Sequence, residues 1–406
     1  ARGGFAARWL GYELRETPMA FSLFRRSAEP EAQKASATAP IMAFHGTGRA
    51  VWTPRDTASM ARSGYEQNAI GFRAVRMVAE AAAAVPVTVT EDGVRMSEHP
   101  VVRLLSQPNP GQDGRSFLEA LYGHLQLSGN AYVEAASIDT LGLPRELHVL
   151  RPDRMRVVPG NDGWPAAYEY HVSGRAHRWA MDGDFRAILH LKAFHPLNDH
   201  YGMSPIEAAA QAVDVHNAAA RWSKALLDNA ARPSGAIVFG GKDGAATMSE
   251  EQYQRLTREI EDNHAGASNA GRPMLLEGGL DWKPMGYSPT DMEFLETKNA
   301  AAREIAMAFG VPPMLLGLPG DNTYANYQEA NRAFYRQTVL PLVQKTSSAL
   351  SSWLCQSRTT DLTIAPDLDA VTALGPEREA LWKRVSEAEF LDQDEKRALL
   401  GLPPRD

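Results

Sequence analysis

The residues best placed to do chemistry lie between positions 190 and 200. His190, His195, Asp199 and His200, with Asp182 and Asp184 upstream, supply imidazoles and carboxylates. Those are the donor types that ligate zinc or act as general acid and base. One reading is therefore a metal-dependent hydrolase built on His190, His195, Asp199 and His200. The spacing argues against it. The alternation Ile188-Leu189-His190-Leu191-Lys192 puts His190 on a half-buried strand, while 195–202 reads as a loop. A step of five brings His195 and His200 to one face of neither a helix nor a strand. Capping and turn roles are the plainer reading.

Other catalytic signatures fail. No Gly-rich turn ends in Gly-Lys-Ser/Thr, and there is neither a Gly-x-Ser-x-Gly elbow nor a His-Glu-x-x-His helix. Gly46-Thr47-Gly48 lacks the third glycine of a dinucleotide site. Cys355 is the single cysteine, so neither an intramolecular disulfide nor a thiolate metal cage can form. Beside Trp353 and Leu354 it reads as a core or interface thiol. The residues point to a protein that is not an enzyme and needs no cofactor.

The elements that must position any site divide the chain of 406 residues into two or three domains. Hydrophobic content of 44% and charged content of 22% suit a folded soluble protein. A net charge of −7 argues against a protein that works by gripping DNA phosphates, but not against one that lets nucleic acid pass. One cysteine in 406 residues makes a reducing compartment the default. No apolar run nears the length of about 20 residues that spans a bilayer; the longest, 309–318, is broken by Pro312 and Pro313. Met19-Ala20-Phe21 reads as a natural start, making the first eighteen residues an upstream extension, and 27–53 reads as a flexible arm.

The first half reads as α+β. A helix runs from about Gly64 to Ala84, and a strand over 85–90 turns at Glu91-Asp92-Gly93. Ser116 to Glu119 is a capping box opening a helix that Gly129 closes. Short strands are predicted over 131–138, 145–150, 155–158, 168–172 and 187–194. The second half reads as long helices. One opens at Ser204-Pro205-Ile206-Glu207 and continues to about Asn229, with Asp214, Asn217, Arg221, Lys224 and Asp228 as a narrow polar stripe. The rest of its surface carries Ala208, Ala212, Val215, Ala219, Trp222 and Leu226, so it must pack on several sides, within a lone domain or against further copies. Another runs from Ser249 to about His264. The next, from Thr290 to Phe309, sets Glu293, Glu296 and Arg303 opposite its apolar side, on which Lys298 must snorkel. A helix from about Thr323 past Trp353 is predicted to kink at Pro341, and a final pair spans 376–400. From Glu304 to Asn331 there is no Lys or Arg, and 317–323 is a turn-rich loop within that stretch. It reads equally as a bland surface loop or as one near a polyanion that it must not hold.

Several short motifs resemble, in order and spacing, the portal (head-to-tail connector) proteins of tailed phages and gene transfer agents. They are Ser128-Gly129-Asn130-Ala131-Tyr132-Val133, Tyr201-Gly202-Met203-Ser204-Pro205-Ile206, Asn229 to Gly235, Phe309-Gly310-Val311-Pro312-Pro313, Leu315-Leu316-Gly317, Asn331 to Tyr335, Val339-Leu340-Pro341-Leu342 and Leu399 to Pro403. The resemblance implies a portal-type α+β fold: an α+β wing, long stem helices, a small clip and a helical C-terminal crown. Its expected bounds are an N-terminal extension and arm over 1–61, wing over 62–203, stem over 204–229, clip over 230–289 and second stem over 290–310. A tunnel-loop region over 311–325, the second part of the wing over 326–376 and a short crown over 377–406 complete it. It further implies a ring, typically of twelve copies, at a capsid vertex, the channel through which a terminase drives DNA and the joint between head and tail. Twelve copies at −7 each carry −84, a wall that repels DNA. Leu318, Pro319, Asp321, Asn322, Thr323 and Tyr324 are then the DNA-proximal tunnel loop. Asp214, Asn217, Arg221, Trp222, Lys224, Glu293, Glu296 and Arg303 are the channel or subunit-interface face of the stem. The implied partners are further copies of itself, the major capsid protein, the terminase large subunit, a head–tail adaptor and double-stranded DNA passing without sequence specificity. The implied place is a virion or phage-like particle made in the bacterial cytoplasm, with no membrane partner. A different virion adaptor is the remaining alternative, weakened because adaptors lack paired stem helices flanking a clip.

Overall fold

The computed structural model describes residues 52–139, 142–183, 185–228, 235–239, 249–264, 280–284, 294–320, 323–356 and 361–402. The start at Met19, the first eighteen residues and nearly all of the arm lie outside these.

Side-chain caps decide where the helices begin. Asp56 accepts from the Ser59 amide at the head of α1 (Thr57–Ala61), a π-helical turn covers Arg62–Glu66, and Asn68 caps α2 (Ala69–Ala83). β1 (Val87–Glu91) and β2 (Val94–Met96) form a hairpin through Asp92 and Gly93, both at positive φ. After α3 (Pro100–Ser106) comes α4 (Gly114–Ser128), capped by the Asp113 carboxylate on the Ser116 amide at 2.6 Å. The expected cap at Ser116 is thus displaced by a stronger acceptor three residues earlier. Gly129 closes α4 at φ 69°, where a Cβ would meet the Gly202 backbone at 2.6 Å.

The strands follow the sequence closely: β3 (Asn130–Ile138), β4 (Pro144–Leu150), β5 (Met155–Pro159), β6 (Pro165–Val172), β7 (Arg175–Ala180) and β8 (Ile188–Lys192). They form two antiparallel sheets, ordered β4-β3-β8 and β5-β6-β7. β7 is the exception to the sequence pattern; as an almost wholly exposed edge strand, Arg-Ala-His-Arg-Trp-Ala carries no apolar alternation to reveal it.

The helix expected from Ser204 is two. Ser204 caps α5 (Pro205–Ala208), Ala209 leaves the helical region at ψ 4°, and α6 (Ala210–Asp228) restarts. β9 (Gly235–Phe239) pairs with β10 (Leu280–Pro284), with α7 (Glu250–His264) between them in sequence. After α8 (Phe294–Ala308), Gly310 takes φ 64°, as its placement past the helix end requires. Thr290, predicted to open α8, and Glu293 lie outside the described residues. α9 (Tyr324–Phe334) runs through a π-helical turn at Tyr335–Val339 into α10 (Leu340–Leu354). That wide turn directly precedes Pro341 and accommodates its missing N–H and its ring. β11 (Leu362–Pro366), also beyond the sequence pattern, joins the first hairpin in the order β11-β1-β2. α11 (Gly375–Ser386) and α12 (Gln393–Leu399) end the described chain, the second opened by the Asp392–Glu395 capping box. The result is mixed helix and small sheets. One core unites α2, α4, α8 and α10 with the α5–α6 segment around Phe117, Leu121, Ile206, Ile305, Phe334 and Leu354.

Candidate functional site

The helices expected to form the stem pack together, α6 lying on α8. Their buried residues are small: Ala209, Ala210, Ala212, Val213 and Ala219 at the break and along α6, Ala301, Ala302, Ile305 and Ala306 on α8. Small side chains let two helix backbones approach closely.

The polar stripe of α6 is split. Asp214 takes hydrogen bonds from the Thr53 amide (2.9 Å) and the Thr53 hydroxyl. Asn217 is 7% exposed and donates to the Ser63 carbonyl at 2.7 Å. Asn68 joins them. Its Oδ1 accepts from the Ile70 and Gly71 amides, and its Nδ2 donates to Asn217 Oδ1 (2.9 Å) and His216 Nδ1 (3.2 Å). His216 accepts there only as a neutral ring, and burial followed by the Lys298 charge on α8 holds its pKa down. Asp214 and Asn217, expected on a channel or subunit face, therefore fasten α6 to its own chain. Arg221, Trp222 and Lys224 lie beyond this knot, Arg221 and Lys224 exposed and Trp222 half-buried. Asn68, before an apolar-periodic run, carries a readable N-cap signal; its tie to a helix about 150 residues away has none.

Among the residues α6 leaves outside, Gln211, Val215, Ala218 and Ala225 form a ridge at helical spacing with Trp222 half-buried in it. α8 exposes Glu296, Ala300, Arg303 and Met307 along one stripe. Arg303 reaches beyond the helix and donates to the Pro319 carbonyl at 2.5 Å. The loop between α8 and α9 folds back on itself: Pro313–Leu316 forms a 3₁₀ turn, Gly317 closes it at φ 73°, and the Leu318 amide donates to Pro313 O at 3.2 Å. Leu318, expected on the DNA-proximal loop, is 8% exposed and packs within its own chain. Pro319, Thr323 and Tyr324 are exposed, Tyr324 at 78%, and Thr323 caps α9 through the Asn326 amide. Asp321 and Asn322 lie outside the described residues.

The histidine group does not converge. His190 Nε2 meets Asn130 Oδ1 at 3.0 Å and its Nδ1 meets the Tyr168 hydroxyl at 3.2 Å, with the ring stacked on Tyr132. Both nitrogens are engaged, and burial, then the Lys192 charge, lower its pKa to about 3. His195 accepts from the Leu197 amide, and Asp199 is held through its carbonyl by Lys192. Among the described residues no group of three or more His, Cys, Asp or Glu is placed to hold a metal ion. Nothing in this arrangement supports the metal-dependent hydrolase built on His190, His195, Asp199 and His200; the strand gives His190 structural partners, and the turn-rich loop occupies His195 and Asp199 locally.

Comparison with known proteins gives the family. The family model described as phage portal protein matches residues 69–401. Two solved structures are similar over 89% of this chain and 97% of theirs at 60% identity: the neck of an empty gene transfer agent particle computed with C6 symmetry (TM-score 0.68) and the neck of a native one computed with C12 symmetry (TM-score 0.66). The portal protein of Enterobacteria phage HK97 is 25% identical over 344 residues, covering 82% of this chain and 78% of that protein.

Proposed function

The chain belongs to the phage portal protein family, and from that membership together with its stem geometry we infer how it works. It is a portal protein, the ring-shaped connector at the vertex of a phage-like particle such as a gene transfer agent. The reading extends to the arrangement of the ring. It has twelve copies, with α6 and α8 as the stem, 230–289 as the clip, and Pro319, Thr323 and Tyr324 facing the channel. The supporting observation is the α6 ridge of Gln211, Val215, Ala218 and Ala225. It is narrow, small and exposed in a single chain, on a helix whose other side is already buried. Copies related by rotation would cover that ridge and enclose a lumen, and at −7 per copy the ring as a whole repels a duplex rather than gripping it. A terminase, a capsid protein and a head–tail adaptor would engage the ring at its two ends. The role is structural, and no bond is made or broken by it. Among the described residues no helix is long and apolar enough to cross a membrane.

Electron microscopy of purified protein and of particles, viewed down the symmetry axis, tests this. Rings with a central opening are expected in both. Particles whose vertex contains this chain as isolated protomers, without an opening, would overturn it.

A further inference from the structure

The stretch from Glu304 to Asn331 holds no Lys or Arg, yet the loop inside it is tied down by a cation. Arg303, the residue just before, places its guanidinium on the Pro319 carbonyl at 2.5 Å, sixteen positions along. A Cβ at Gly320 would stand 4.0 Å from the same nitrogen. The loop's root is fixed independently by buried Leu318 and by the 3₁₀ turn over Pro313–Leu316. On the far side every residue from Thr323 to Glu329 is exposed. The Arg303 bond thus ties α8 to the exposed part of the loop.

A peptide carbonyl is a neutral acceptor. A phosphodiester offers a full negative charge on two free oxygens, which a guanidinium can take in a two-pronged grip. Resting on the reading that this loop lines the channel, we propose that Arg303 is the loop's positioning residue and that DNA phosphate competes with the Pro319 carbonyl for its guanidinium. In an empty channel the loop is held on the stem; a duplex in the channel draws Arg303 away and releases it. The cation-free stretch makes this a one-for-one exchange, because nothing between Glu304 and Asn331 gives a phosphate a second cation to hold.

Hydrogen–deuterium exchange on intact particles, DNA-filled and empty, with the amides of Gly317 and Leu318, whose bonds lie in the fixed root, as the unchanged reference, reads the amide of Gly320. Wild-type filled particles are expected to exchange roughly fivefold faster there than empty ones, the scale of one lost hydrogen bond. Arg303→Gln should bring empty particles to the filled rate and erase the difference. Arg303→Lys, which keeps the charge and a single-pronged donor, should retain part of it, and this variant decides the matter if Arg303→Gln prevents ring assembly. Equal rates in filled and empty wild-type particles, or a difference that survives in Arg303→Gln, would overturn the proposal. A photo-crosslinking side chain at Tyr324 tests the channel placement separately. Crosslinks to DNA with an unchanged Arg303→Gln profile remove the tether alone, whereas filled particles without crosslinks remove the placement.

Discussion

The inward-facing and outward-facing halves of α6 are put to opposite ends. On the inward half, Asp214, His216 and Asn217 are consumed by Thr53, Ser63 and Asn68 of the same chain. On the outward half, Val215, Ala218, Arg221, Lys224 and Ala225 stand at the surface. A buried amide or imidazole must find partners wherever the chain can supply them, or lose more than the bond is worth. An exposed alanine carries no such requirement and is free to meet another copy. The inward half therefore builds the protomer, and the outward half presents it.

Breaking the inward half should produce the largest effect. Asn68→Ala removes the cap on α2 and leaves His216 Nδ1 and Asn217 Oδ1 without their donor. Loss of stability on the order of 2–4 kcal/mol is expected from denaturant unfolding of the protomer. A loss below about 1 kcal/mol would mean that water replaces the side chain and that the knot is peripheral. A smaller effect follows from His190. Its folded pKa lies near 3, below the ordinary value near 6.5. Above about pH 6.5 neither folded nor unfolded chain is protonated there. Between about 6.5 and 3 only the unfolded chain takes up the proton, so stability falls as pH drops, by at most about 1.4 kcal/mol per pH unit for this one group. His124 and His216, also held low by burial, add to the slope. Thermal melts from about pH 7 to 5, a window that straddles the onset of imidazole protonation, should show it, and His190→Phe, which keeps a ring against Tyr132, should remove one proton's share. An unchanged slope would place the titration elsewhere.

How much of this is legible in the sequence depends on whether a signal is local. Gly129, Gly310 and the Asp392–Glu395 box can be read because a helix end is decided within about five residues. The β3 to β6 strands can be read because alternation reports a half-buried face. β7 and β11 escape because edge and sheet-joining strands owe their pairing to residues elsewhere in the chain: Leu362 to Pro366 finds β1 about 275 positions back. The site divides in the same way. The small-residue character of the stem and the cation-free stretch are visible as composition. That Asp214 and Asn217 turn inward, that Leu318 is buried and that Arg303 reaches Pro319 are consequences of packing across 16 to 161 positions, which no helical wheel contains.

The smallest effect on the protomer separates the two halves most sharply. Ala218 is exposed on α6, and glutamate is a good helix former at an exposed position. Ala218→Glu should leave the protomer's melting temperature within about 1–2 °C of wild type, since no buried contact is touched. If the ridge through Val215, Ala218 and Ala225 is covered by a neighbouring copy, the same change buries a charge at each subunit junction around the ring. An unpaired buried charge at a helix contact is worth several kcal/mol, and in a ring it recurs at each junction. Mass photometry should then show rings replaced by protomers in a protein whose fold is unchanged. Intact rings of Ala218→Glu would mean that copies meet through another face, and the distinction between a half that folds and a half that assembles would have to move off α6.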